Sequence, residues 1–138
     1  MTAPHAMCYA DRMTMFLRLS AWLLAAAVAF ATLGPADLRP HSALGQDGEH
    51  ALAFVLVGLA FGLAYPHRRR VTAAIAVVLT GVLELLQFVA PGRHARLEDF
   101  VVDALTACVG FALAAALDWA LPRLRGRSRI LTSESPAE

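Results

Sequence analysis

The chain has 138 residues, of which 58% are apolar and 17% charged, with a formal net charge of +1 and a mean hydropathy of +0.56. Soluble domains carry about 25% charged residues, so this composition is too poor in charge for a water-exposed domain and too apolar for a disordered chain. Two cysteines exclude a disulfide-stapled scaffold, and the near-zero net charge gives no basic field for nucleic acid. What remains is a small polytopic membrane protein. All twelve cations are arginine, and the chain has neither lysine nor asparagine, a bias of the kind a GC-rich genome imposes.

A membrane helix needs about 20 mostly apolar residues, and four stretches approach that length. The first covers residues 16–33, with Arg18 near its start. The second runs from about 47 or 50 to 65 and reaches full length only if its polar first turn sits among headgroups. The third, 71–90, carries Glu84 and Gln87, and the fourth, 100–121, carries Asp103 and Asp118. Backbone groups in hydrocarbon must be satisfied internally, so all four are expected to be helices. Pro35, Pro66, Pro91 and Pro122 each follow one stretch, where proline ends a helix at little cost. The expected fold is all-α, a four-helix transmembrane bundle over 16–121, between an N-terminal segment 1–15 and a basic, then polar, tail 122–138. The first stretch also fits a cleavable signal peptide, with Arg12 and Arg18 ahead of the apolar run and small residues at Ala29 and Ala31.

Short cytoplasmic loops are enriched in arginine. With the N-terminus inside, nine arginines fall on the inner side and three, Arg39, Arg93 and Arg96, on the outer side. Both termini are therefore expected in the cytoplasm, with Tyr65 and Trp119 at the inner interface and the tail from Arg123 to Arg129 beside the lipid surface, anchoring topology. The acids then separate. Glu84, Asp99 and Asp103 fall at or within the outer leaflet, as do His41, His50 and His94 at its edge. Ionisable groups in a membrane are costly and face the bundle interior or a water-filled cavity.

Helical spacing places these residues on common faces. Glu84 and Gln87 are i, i+3. Asp99 and Asp103 are i, i+4, and Thr106, Ala107 and Gly110 extend their stripe. His50, Phe54, Gly58 and Gly62 are spaced by four, and the two glycines form a small-xxx-small face for close helix packing. The expectation is one polar pocket open to the outside. Glu84 or Asp99 would act as general acid or base, and His50, Gln87, Arg93, Arg96 and Asp103 would bind, with the arginines gripping an anion through their bidentate forks. Equally, Arg93 and Arg96 could close salt bridges within the loop. No His or carboxylate pair has metal-ligand spacing, no cofactor motif is present, and no serine elbow supplies a nucleophile. Cys108 falls mid-bilayer, where its thiol is expected to be inert.

The segment GVLELLQFVAPGRHARLEDFVVDALTACVG, residues 81–110, resembles the VanZ-like family, small membrane proteins named after an accessory factor in teicoplanin resistance. The resemblance is carried by Glu84 and Gln87 on one helix, then Pro91-x-Arg93, then Asp99 opening the next helix. Arg39-Pro40, His50 and Phe54 extend it more weakly, to about half the chain. Many members carry asparagine where Asp103 stands and glycine where Thr106 stands, so Glu84 and Asp99 carry over directly and Asp103 does not. The resemblance implies a multi-pass protein of the bacterial inner membrane acting at the cell envelope, with antibiotic tolerance as one role. The resemblance implies no settled biochemical activity; the outward cluster of Glu84, Gln87, Arg93, Asp99 and His50 points to a lipid-linked or otherwise anionic, amphiphilic envelope molecule, bound or chemically modified. Two other classes fit the sequence: a non-enzymatic accessory protein whose small-residue faces pack against a membrane partner, and a small proton-coupled transporter using Glu84. The topology is tested by reporter fusions. Fusions at Gly45 and Gly92 should report the outside and a fusion at Arg69 the cytoplasm; an outside signal at Arg69 contradicts it.

Overall fold

The computed structural model describes residues 3–34, 45–87 and 97–133, and the side chains of 11–34, 48–87 and 98–123 within them. These residues are helical almost throughout: α1 (Ala3–Leu33), α2 (Gly45–Ala64), α3 (Arg69–Gln87) and α4 (Leu97–Ser133). Three of the helices contain stretches long and apolar enough to cross a membrane, Asp11–Leu33, Pro66–Gln87 and Glu98–Arg123. The apolar part of α2, Gly48–Ala64, is shorter. The chain is thus an all-α membrane protein, as composition implied.

Local chemistry sets the helix ends. At the end of α1 the Gly34 N–H donates to the Phe30 carbonyl at 2.7 Å, and Pro35 follows. Between α2 and α3 the connection is Tyr65 and one 3-10 turn, Pro66–Arg68. Pro66 occupies the first position of that turn, where its missing N–H costs nothing. The turn is closed by Tyr65 N–H to Phe61 O at 3.0 Å and Arg68 N–H to Tyr65 O at 3.1 Å.

Pro122 behaves differently from the sequence expectation. It lies inside α4, which continues eleven residues beyond it to Ser133. Proline removes one N–H donor and displaces the carbonyl four residues back; here that carbonyl belongs to Asp118, on an exposed turn where water can donate to the freed oxygen. The helix resumes at the cost of one bond. At 37 residues α4 is about 55 Å long, well beyond a hydrocarbon core of about 30 Å. The first helix likewise begins at Ala3, so neither 15/16 nor 121/122 is a helix boundary.

The central packing is between α2 and α4; α1 lies chiefly on α2, and α3 chiefly on α4. Gly58 meets Ala107, while Gly62 meets Phe111 and Ala114, so the contacts advance together along both chains and α2 and α4 run parallel. The glycines are required by the closeness of the backbones. A Cβ on Gly58 would lie 2.9 Å from the Ala107 carbonyl carbon and closer to its oxygen. A Cβ on Gly110 would lie 2.6 Å from the Leu59 nitrogen and closer to the Val55 oxygen. The small-xxx-small face read from Gly58 and Gly62 is therefore used inside the chain.

The packing is inside out relative to a soluble bundle. The buried core is made of small or aromatic residues, Ala21, Val57, Phe61, Ala64 and Phe111, flanked by Leu17, Leu24, Ala25 and Val28 of α1. Large aliphatics such as Leu23, Val78, Leu85 and Leu105 point outward. Cys108 also lies on the outward arc of α4, opposite the buried Ala107 and Gly110 stripe. Hydroxyls are returned to the backbone: Thr72 donates to Arg68 O, Thr80 to Ala76 O and Thr106 to Val102 O, at 2.9, 2.9 and 2.8 Å. This back-bonding hides polar atoms that hydrocarbon cannot solvate.

Backbone atoms cannot retreat from a new Cβ, whereas a ring edge can. Gly58→Ala and Gly110→Ala should each destabilise the fold by about 1–3 kcal/mol despite alanine's better helix propensity. Gly81→Ala, which would meet only the edge of the Phe100 ring at 3.3 Å, should be near neutral. Thermal unfolding in detergent ranks the three, and equal effects would contradict the packing described.

Candidate functional site

The buried polar residues of the chain concentrate toward one end of the bundle, where α1 and α3 finish and α2 and α4 begin. On α3 the buried residues are Thr80, Glu84 and Gln87, all polar. Their spacing of four and three puts them on one stripe, and several large apolar residues of α3, Val71, Ile75, Val78, Val82 and Leu85, face outward. Gly81 on the same inward side packs against the Phe100 ring of α4. Glu84 and Gln87 are 8% and 6% exposed, as their i, i+3 spacing predicts. Thr80 completes the stripe and escaped the sequence reading; its position four residues before Glu84 was the signal for it.

On α4 the stripe read from the sequence also holds. Asp103, Ala107 and Gly110 are buried, with Asp99 and Thr106 half-buried beside them. Asp103 is 3% exposed, and its carboxylate faces His50 Nδ1 of α2 at 3.7 Å. His50 in turn leans toward Phe54 one turn on, with ring centroids 6.5 Å apart. The parallel run of α2 and α4 makes this pairing: the glycine contacts fix the register, and two residues near the starts of the helices meet. Thr106 Oγ also reaches the Asp103 carbonyl at 3.1 Å.

The structure therefore joins His50 to Asp103 and buries Glu84 and Gln87 on α3. Because α3 runs opposite to α4, Glu84 lies three residues to one side of the Gly81–Phe100 contact and Asp103 three residues to the other. Asp99 lies one turn above Asp103, half-buried, and Glu98 is exposed. Among the described residues no group of three or more His, Cys, Asp or Glu is arranged to hold a metal ion. Arg93, Arg96 and His94, with His41 and Arg39, lie outside the described residues.

At the opposite end a second polar group appears. Arg69, opening α3, pairs with Asp118 of α4 and donates from Nε to the Gly62 carbonyl at 2.9 Å. Arginine counting sets Arg69 on the inner side without assigning it a partner; the isolated Asp118 in an apolar run is the sequence sign of a paired cation. Between the two ends the interior is filled by Phe54, Val57, Phe61, Ala107, Phe111 and Ala114. This apolar block separates the His50–Asp103 pair from the Arg69–Asp118 pair.

No family model, no curated protein and no solved structure matches the chain.

Removing His50 would take away the side chain that the buried Asp103 carboxylate faces at 3.7 Å. His50→Ala should lower stability by about 1–3 kcal/mol, and Asp103→Asn, which replaces the carboxylate and keeps the shape, should lower it less. Denaturant unfolding in micelles compares the two; equal losses would show that the pair does not govern this contact.

Proposed function

We propose that the chain is a VanZ-like protein of the bacterial inner membrane, with all four helices crossing the bilayer and both termini cytoplasmic. Its outward-facing polar end binds or modifies an anionic or amphiphilic molecule of the cell envelope. The observation that carries the reading is the inverted face of α3: a helix apolar enough to span a membrane buries Thr80, Glu84 and Gln87 and turns its aliphatic residues outward. Carboxylates kept inside a membrane bundle are retained for use more often than for stability. The same end holds Asp103 and His50, and the connection between α3 and α4 carries Arg93 and Arg96.

In this reading Arg93 and Arg96 hold the anionic group, Gln87 and His50 orient it, and Glu84 or Asp99 transfers a proton if the ligand is altered. Antibiotic tolerance would follow from a changed envelope molecule. Two features weigh against the other classes. The glycine face that an accessory protein would offer to a partner is occupied by α4. The apolar block between the two polar ends gives a transported proton no chain of carriers.

The experiment is lipid and envelope analysis of a deletion strain complemented with wild type or with Glu84→Gln. Wild type should restore the envelope profile and Glu84→Gln should fail at equal protein level. Full complementation by Glu84→Gln would remove Glu84 from the function.

A further inference from the structure

The end of the bundle opposite Glu84 gathers cations and amphipathic aromatics from several helices. Of the acids described there, Asp118 is engaged by Arg69. Arg18, Arg68, Arg70 and Arg123 form no salt bridge among the described residues. Arg18 of α1 sits over the Tyr65 ring, its guanidinium carbon 5.1 Å from the centroid. Trp22, one turn on from Arg18, donates its indole N–H to the Tyr65 hydroxyl at 3.3 Å and meets Phe61 edge-on with centroids 5.2 Å apart. The Tyr65 hydroxyl thus accepts from Trp22 and retains its own proton to donate. Arg68 is tied to Tyr65 through the turn, its N–H on the Tyr65 carbonyl at 3.1 Å.

We propose that this arrangement binds the phosphate of an anionic phospholipid. The exposed Arg18 guanidinium sits over the Tyr65 ring, 5.1 Å from its centroid, and forms no salt bridge among the described residues, which leaves its N–H fork for phosphate oxygens. The Tyr65 hydroxyl donates a further hydrogen bond, and Arg68 adds a second positive charge from the α2–α3 turn. Basic pockets between membrane helices select anionic headgroups in this way. A lipid is favoured over free phosphate by what surrounds the donors. Trp22, Leu19 and Leu23 lie exposed on α1 beside Arg18 and offer an apolar track for an acyl chain, and tryptophan and tyrosine belong at the headgroup level.

The test is native mass spectrometry of the full-length chain in detergent, with phosphatidylglycerol and phosphatidylcholine of matched acyl chains. Wild type should retain phosphatidylglycerol in preference to phosphatidylcholine. Arg18→Gln should cut that retention about five-fold and Tyr65→Phe, which keeps the ring beneath Arg18, by a similar factor, with phosphatidylcholine unchanged. A triple Arg125→Gln, Arg127→Gln, Arg129→Gln variant should keep the preference. Equal retention of the two lipids by wild type overturns the proposal. So does loss of preference in the tail variant but not in Arg18→Gln, a parallel loss of both lipids in the single variants, or displacement by inorganic phosphate alone.

Discussion

The close approach of α2 and α4 is the constraint on which the rest of the molecule depends. In water, large aliphatic side chains hold helices together because burying them removes apolar surface from solvent. In hydrocarbon that gain disappears, and helices associate through tight van der Waals contact, which small residues allow. Gly58 and Gly110 bring the two backbones so near that neither position tolerates a Cβ without movement of main-chain atoms. Because the contact is backbone to backbone, it also fixes the register. That register sets His50 against Asp103 at one end and leaves Asp118 level with Arg69 at the other.

Both polar ends are consequences of this geometry, and they differ in character. The Arg69–Asp118 pair ties the α2–α3 turn to α4 where the helix emerges, and the Gly62 carbonyl shares the guanidinium. Its surroundings, Tyr65, Trp22 and Arg18, are the side chains that suit a headgroup region. The other end has two acids inside: Glu84 and Asp103 are buried, and the fully buried residues of α3 are all polar. Between them Phe54, Val57, Phe61 and Phe111 form an apolar partition. Under the proposed function, this partition would have the envelope ligand received and released at the same end of the bundle.

Much of this was legible in the sequence because a membrane helix advertises its inward face by contrast. Glu84 and Gln87 in an aliphatic run had to share a side, and Asp99, Asp103, Ala107 and Gly110 could be placed on one stripe by spacing alone. The four-residue period of Phe54, Gly58 and Gly62 announced close packing. Spacing within a helix says nothing about which helix it meets, so the parallel α2–α4 pairing and the His50–Asp103 contact appear only in three dimensions. Proline misled at Pro122, since one lost hydrogen bond on an exposed turn does not stop a helix that can resume beyond it. Charge counting treats the three consecutive arginines at 68–70 alike, whereas the structure distinguishes Arg69, which faces Asp118. The arginines of the α3–α4 connection, Arg93 and Arg96, belong to residues the structure does not describe.

The central claim, that α2 and α4 pack in parallel in this register, is tested by exchanging side-chain volume across their interface. A Cβ on Gly62 would lie 2.5 Å from the Ala114 Cβ, so the space one residue needs is occupied by a single removable methyl. Unfolding in detergent should show Gly62→Ala strongly destabilising and Ala114→Gly mildly so. The double variant should regain much of the loss, with a coupling of about 1 kcal/mol or more. Simple additivity of the two substitutions would show that these residues do not face each other and would contradict the arrangement.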